Sequence, residues 1–434
     1  MPSSSTQLPW ARTRAAPAAA LVFALALALS AGSAAKGPDL TERAEGFAPA
    51  AGVAEELKFG APNGRAGDLF GLSVASAKSR VVVGAPQEST AVGILDNPGS
   101  AFVFDTSGAF VRELLPTSAN ERRRDDAYGR SVAASGKLIV VGAPGADDVG
   151  QFAGEVFVFN ADTGTQRSKL VPTGTRRNPP DGSGFGSAVD VSTDRIVVGA
   201  PGAFADGGGR IGGFGAMYLY NAKTMSLITR VTPPGTQAKD NVGHSVAVEG
   251  QTLVAGAPFD STVAPESGAV YVFKSSNGRQ RFKLTAADAA KEDRFGFSVS
   301  TNGALIAIGA PFDDDRGADS GAVYLVDAAT GAFVRKLVAN DGGINDQFGI
   351  AVDLVGDHLA VGAWGDNAGA GSVYVFDVTT GTQLAKRVAS DAAPLAILGR
   401  SVALSGAAVV AGAARDGDRG TDAGAAYRFA LPAQ

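Results

Sequence analysis

Three glycines recur in fixed register along this chain, and that register constrains the fold more than any other feature of its 434 residues. The first follows a mostly apolar residue, at Gly71, Gly129, Gly186, Gly243, Gly296, Gly349 and Gly399. A second stands 13 positions later each time, at Gly84, Gly142, Gly199, Gly256, Gly309, Gly362 and Gly412. A third opens a strand-like run, at Gly99, Gly154, Gly215, Gly268, Gly321, Gly371 and Gly424. The copies begin 50 to 58 residues apart, and chance does not place 21 glycines in register. Length alone would suggest about three domains at ~150 residues each. The repeat points instead to one array of seven equivalent units.

Each unit carries four strand signals separated by turn residues. In the fifth, Phe297–Thr301, Ala304–Ala310, Ala322–Val326 and Ala332–Val338 alternate with Asn302-Gly303, an acidic loop and Thr330-Gly331. Beyond the amino terminus no stretch has a helical period. Four-stranded antiparallel units repeating at this length are the signature of a β-propeller, so an all-β, seven-bladed propeller is expected. Other repeated positions have physical roles in such a ring. Small residues ahead of Val, as in Ser73-Val74 and Ser298-Val299, fit the crowded innermost strand. Asp68, Asp126, Asp240, Asp293 and Asp346 precede the apolar-Gly pair by two positions and are expected to accept backbone N–H groups in the connecting loop. The third-strand aromatics Phe102, Phe157, Tyr218, Tyr271, Tyr324 and Tyr374 are expected to fill the space between blades.

The seventh unit stops after its third strand, Ala425–Phe429. Upstream of the first unit, Glu55–Phe59 sits ahead of Phe70-Gly71 much as Val111–Leu115 sits ahead of Tyr128-Gly129. Residues near Val53–Phe59 are therefore expected to complete blade seven as its outer strand, pairing the chain ends and removing open edges. Met1–Ala35 reads as a secretory signal, with Arg12 and Arg14, an apolar Ala18–Ser30 and small residues before a cleavage after Ala34 or Ala35. Lys36–Gly52 reads as a linker and residues 53–434 as the propeller. The apolar run is shorter than the ~20 residues of a membrane span. The mature chain is thus expected to be a monomeric propeller without a transmembrane segment, secreted to the extracellular space or periplasm. Zero Cys removes disulfides, thiolate metal sites and Cys nucleophiles, and two His nearly exclude a multi-His metal centre. A net charge of -5 argues against a nucleic-acid partner.

Phe70-Gly71…Gly84-Ala85-Pro86, Tyr128-Gly129…Gly142-Ala143-Pro144, Phe185-Gly186…Gly199-Ala200-Pro201 and Phe295-Gly296…Gly309-Ala310-Pro311 resemble the FG-GAP repeat, over about residues 55–429. That resemblance implies the seven-bladed propeller found at the amino terminus of integrin alpha subunits, and a role in adhesion or protein binding. The chain departs from the pattern at Val242-Gly243, Leu398-Gly399, Trp364 and Ala414, keeping the glycines. Integrin blades often place a calcium-binding loop between the first and second strands. Here that connection is a short turn, such as Ser135-Gly136, Glu249-Gly250 or Val355-Gly356, so those sites do not carry over.

The candidate metal ligands lie between strands two and three: Asp313, Asp315 and Asp319 in the fifth unit, and Asp416, Asp418 and Asp422 at the same offsets in the seventh. Alternate carboxylates around a Gly turn suit Ca²⁺, the one cofactor suggested. The competing reading is a solvated turn, with Arg316 and Arg419 neutralising the acids. The repeated Gly-x-Ser, as in Gly243-His244-Ser245, lacks the strand-to-helix turn of a hydrolase nucleophile. His244 and His358 are expected to be ordinary surface or strand residues, and Gly207–Gly212 has no following helix to make a nucleotide site. Arg122–Arg124 and Arg176–Arg177 fall in loops entering a blade and either receive an anionic ligand or sugar acid or are solvated charge paired locally, with Asp125 and Asp126 at hand. The long loop Gly202–Phe214, with Phe204 and Ile211, suits a partner contact.

No catalytic set converges in this sequence. The expected function is a non-enzymatic binding propeller that presents one loop face to a protein or glycan. Two alternatives are an extracellular hydrolase or lyase with carboxylates at the axis, and a scaffold module of an envelope or matrix assembly.

Overall fold

The marker glycines of each blade touch those of the next, and these contacts close a ring. The computed structural model describes residues 55, 57–77, 79–88, 98–118, 125–172, 182–203 and 213–432. They form seven four-stranded antiparallel sheets, with no helix among the described residues. In blade one the strands are Ser73–Ala77, Arg80–Ala85, Ser100–Asp105 and Phe110–Leu114, paired in chain order from the axis outward. The signal and linker expected over residues 1–52 lie outside the described residues.

Gly71 takes φ 90°, a region open to glycine, and its N–H donates to the Gly84 carbonyl at 3.0 Å. Gly84 lies in a strand, and a Cβ there would overlap the carbonyl of Gly129 in blade two. The same abutment recurs at every junction and ends with Gly412 against Gly71. The constant spacing of 13 therefore keeps two glycines hydrogen-bonded within a blade and in contact between blades. The inner-strand serines reinforce each junction. Ser73 Oγ donates to Gly129 O at 2.9 Å, Ser298 to Gly349 O at 2.7 Å, and Ser401 to Gly71 O at 2.9 Å.

Burial follows the same geometry. Each blade presents one apolar face to each neighbour, so the core is a set of layers between blades rather than one centre. Val140, Val156 and Val158 of blade two, for example, pack against Ile196, Val198 and Tyr218 of blade three. The third-strand aromatics are buried in these layers and meet the aromatic ahead of the first glycine: Phe185–Tyr218 at 5.0 Å, Phe295–Tyr324 at 5.2 Å and Phe348–Tyr374 at 5.4 Å between ring centroids. The loop aspartates accept backbone hydrogen bonds as expected, with Arg65 N donating to Asp68, Gln237 N to Asp240 and Ala290 N to Asp293, each at 2.6 Å.

Blade seven is built from both chain ends. Leu57–Phe59 pairs antiparallel with Ala425–Ala430, in the register Leu57↔Arg428, Lys58↔Tyr427 and Phe59↔Ala426. Phe59 is buried and meets Phe104 of blade one edge-on at 5.3 Å. The first-to-second connections are tight turns, since Ser135 pairs with Leu138, Glu249 with Thr252 and Val355 with His358. One face of the ring therefore carries these turns together with those between strands three and four. The longer connections gather on the opposite, loop face.

Candidate functional site

On the loop face, charge is organised around the outer strand. In blade five that strand is Phe333–Leu337, and Lys336 stands opposite Tyr324 of the third strand. Alternation points Lys336 at the loop acids, where its Nζ lies 2.8 Å from Asp288, 2.8 Å from Asp313 and 2.6 Å from Asp315. The Tyr324 hydroxyl is 2.8 Å from both Asp288 and Asp313 and shares its hydrogen between them. Lys336 Nζ also stands 5.0 Å from the Tyr324 ring centroid.

Blade seven repeats the cluster across the chain ends. Lys58 Nζ lies 2.5 Å from Asp391, 3.1 Å from Asp416 and 2.5 Å from Asp418, with the Tyr427 hydroxyl 2.8 Å from Asp391 and 2.6 Å from Asp416. Blade six has Lys386 with Asp341 and Asp366, blade four Lys283 with Asp260, and blade two Lys169 with Asp148 and Glu155. Blade three places Arg230 on Tyr218, and blade one places Glu113 at this position, accepting from Ser100 Oγ at 2.6 Å.

Burial opposes the charge on Lys336 and Lys58, but three carboxylate bonds each hold both ammonium groups above their ordinary value. Burial likewise opposes ionisation of Asp288 and Asp391, yet the lysine and tyrosine bonds keep both below the usual carboxylate range. The tyrosines are pushed up, by burial first and then by the adjoining carboxylates.

The six aspartates expected from the sequence as a cation-binding set are divided by the fold. Asp313 and Asp315 converge with Asp288, and Asp416 and Asp418 with Asp391, so that in each triad the carboxylate oxygens lie within 4.8 Å of one another. Three oxygens at that spacing suit a divalent cation, but a lysine ammonium sits among them. Asp319 and Asp422 stand apart from the triads. Their backbone carbonyls accept the N–H of Gln347 at 3.0 Å and of Leu69 at 3.1 Å, tying each loop to the next blade. Arg316 and Arg419 do not neutralise the triads, contrary to the sequence reading, because the outer-strand lysines already occupy them. Sequence reasoning missed Asp288, Asp391 and the lysines. The recurring Lys at the penultimate position of the outer strand in several units was the available signal.

A second group lies on the axis. The inner strands surround a channel of about 470 Å³ lined by their Val and Ala side chains and by Asp190 and Asp353. Each carboxylate bonds its neighbours: Asp190 accepts Val191 N at 2.8 Å and Val248 N at 2.7 Å, and Asp353 accepts Ser300 Oγ at 3.2 Å and Leu404 N at 2.7 Å. Burial pushes Asp190 up to about 7, with Asp353 adding to the shift. His244 of blade four packs on Phe297 of blade five with centroids 4.7 Å apart. His244 thus meets the next blade across a junction, directly ahead of the inner strand Ser245–Glu249. Arg294 lies between Phe259 and Phe312, its Cζ 4.9 Å and 4.6 Å from their centroids, with Nη2 3.3 Å from Glu266. Arg400 stacks on Trp364 at 5.2 Å. The inner-strand serine hydroxyls are committed to the neighbouring blade, which accounts for the repeated Gly-x-Ser.

A family profile described as FG-GAP repeat matches residues 53–104, 118–159, 226–273, 279–326, 332–376 and 382–429. The chain belongs to the FG-GAP repeat family. In five of its six matches the FG-GAP unit takes in the outer strand of one blade and runs through three strands of the next, as at 279–326 and 332–376. The first match does so with Leu57–Phe59, the strand that closes the ring. Blade three carries FG-GAP marker residues at Phe185-Gly186 and Gly199-Ala200-Pro201 outside the matched segments. A search of curated proteins found no match. Arg122–Arg124, Arg176–Arg177 and Gly207–Gly212 lie outside the described residues, as does most of the loop Gly202–Phe214. Among the described residues no helix is long and apolar enough to cross a membrane.

Proposed function

We propose that this FG-GAP propeller is an exported, non-enzymatic binding module whose loop face engages a protein or glycan partner. The observation that carries this reading is a set of exposed apolar side chains on loops of that face. Ile344 and Leu395, at 60% and 59% exposure, stand one repeat position apart in the loops entering blades six and seven, and Val263 is 56% exposed on a blade-four loop. Apolar tips on a rigid ring supply contact area with little ordering cost on binding. The tight turns of the opposite face offer less variation with which to discriminate partners.

The test is capture from extracellular-matrix or envelope extracts and from a glycan array, with the wild-type chain and with Ile344→Ser combined with Leu395→Ser. Saturable capture by the wild type, weakened in the variant, is expected. Equal capture by both would remove these tips from the reading, and no saturable capture would favour a scaffold role.

One observation favours a hydrolytic reading instead, namely the two carboxylates Asp190 and Asp353 at the axis. Acid–base catalysis needs carboxylates free to exchange protons with a substrate. Here the carboxylates accept backbone and serine hydrogens that tie inner strands together, which fits a structural role better. Turnover of polysaccharide or ester substrates, abolished by Asp190→Asn, would reverse that preference.

A further inference from the structure

The wall of the axial channel repeats seven times with two exceptions. Every innermost strand turns a valine to the channel next to the residue paired with the second marker glycine, Val189 and Val352 among them. The following position is small in five blades, as at Ala75, Ala247 and Ser300, but is Asp190 in blade three and Asp353 in blade six. Asp190 pairs with Val197 and Asp353 with Ala360, each two places beyond the residue opposite the marker glycine, so the two stand at one height in the ring. Blades three and six are not neighbours, which sets these carboxylates on well-separated sides of one channel. Glu249, beside the tight turn of blade four, adds a third acid to the lining. Among the described residues that line the channel none is Lys, Arg or His. The inner-strand donors hold both aspartates without saturating them. Asp190 accepts two backbone N–H groups, and Asp353 accepts one hydroxyl and one N–H, where a carboxylate has room for roughly four donors.

We propose that the channel binds a small primary alkylammonium ion, with the ammonium at the level of Asp190 and Asp353 and the hydrocarbon along the valine belt. The wall supplies both halves of such a ligand's recognition. Carboxylates withdrawn from water without a counter-cation are costly, and an arriving cation offsets that cost. Burial pushes Asp190 up to about 7, with Asp353 and Glu249 adding to the shift, and burial raises Asp353 as well, so a bound cation favours the ionised form of both. An ammonium group carries three donors, which the open acceptor positions of the two aspartates receive directly or through water. The valines offer nothing to a metal ion but remove an alkyl chain from water. Ca²⁺ takes about six to eight oxygens at close range. Asp190 and Asp353 belong to neither of the triads whose carboxylates converge that closely. The volume of about 470 Å³ falls within the roughly 300–1,000 Å³ of small-molecule sites.

The test titrates the full chain at pH 8 with n-hexylammonium chloride, with 1-hexanol, hexanoate, potassium chloride and calcium chloride as comparisons at matched ionic strength. Calorimetry is expected to show saturable binding of hexylammonium, and the melting temperature is expected to rise with it. From propylammonium to hexylammonium the affinity is expected to increase about twofold to fourfold per methylene. Asp190→Asn and Asp353→Asn are each expected to weaken binding about tenfold or more. The comparison of probes on the wild type decides the matter even where a variant fails to fold. Equal binding of 1-hexanol or hexanoate would leave the carboxylates without a role. Displacement of hexylammonium by equimolar potassium or calcium would mark an inorganic cation site. Either result overturns the proposal, as do the absence of binding, an affinity independent of chain length, and an affinity unchanged in folded variants. Ile344 and Leu395 do not line the channel, so hexylammonium binding is expected to survive Ile344→Ser combined with Leu395→Ser. The channel site and the partner reading therefore stand or fall separately.

Discussion

Lys58 on the first strand stands directly opposite Tyr427 on the last, with its Nζ 5.1 Å from the ring centroid. The same cross-strand pairing, Lys336 with Tyr324 and Lys386 with Tyr374, occurs inside blades made from continuous chain. The junction between the two ends is therefore chemically a blade like the others.

Lys58→Ala is expected to loosen that junction. It leaves Asp391, Asp416 and Asp418 facing one another without a cation. Two of these carboxylates are partly open to solvent, so the cost is set at about 2 kcal/mol rather than that of a fully buried pair. Chemical denaturation of the two proteins measures it. An unchanged midpoint would mean that the backbone pairing alone holds the ends.

Calcium and the Lys336 ammonium compete for the same oxygens of Asp288, Asp313 and Asp315. Lys336→Ala is expected to gain a calcium-dependent rise in melting temperature larger than that of the wild type, reversed by chelator. Equal shifts in the two proteins would show that any calcium effect arises elsewhere.

Stability is expected to fall as pH rises from about 4.5 to 7.5. Burial pushes Asp190 up to about 7 and Asp346 to about 6, whereas an unfolded Asp titrates near ~3.9. The folded state thus binds more protons across this window. The stability these groups contribute is present below the unfolded value and is lost as pH rises through the folded one. Asp288, Asp341 and Asp391 act oppositely and lose their contribution only in stronger acid, because their folded values are lowered. Urea midpoints at several pH values test this, and Asp190→Asn should flatten the slope. A slope unaltered in that variant would count against a buried, protonatable Asp190.

Two glycine substitutions should differ sharply. Gly412→Ala drives a Cβ into the Gly71 carbonyl at the junction of blades seven and one, and is expected to cost more than about 3 kcal/mol or to prevent folding. Gly250→Asn, at φ 54° with open space around it, should cost less than about 1 kcal/mol. Similar thermal melts for both would contradict the contact as drawn.

The blades were legible because a glycine needed for backbone contact admits no substitute, so the requirement is written at every copy. Loop aspartates such as Asp68 and Asp293 were legible for a related reason, since each serves its own turn within three residues. The triads were only half legible. Asp313 and Asp315 are close in sequence, but Asp288 arrives from the loop entering the blade and Lys336 from the outer strand. No local pattern links the four. The contact of His244 with Phe297 was invisible for the same reason, because the two residues come from different blades and meet only when the ring is formed.

Among the described residues the strand Leu57–Phe59 has its only sheet partner in Ala425–Ala430. During synthesis its hydrogen-bonding edge must wait, unpaired, until Ala425–Ala430 has been made, more than 360 residues later. Six blades can assemble in order, but the final one is a late, long-range event with a large loop to close. Completion of the ring therefore depends on the arrival of Ala425–Ala430, and a chain cut short ahead of that strand would lose the latch as well as a blade.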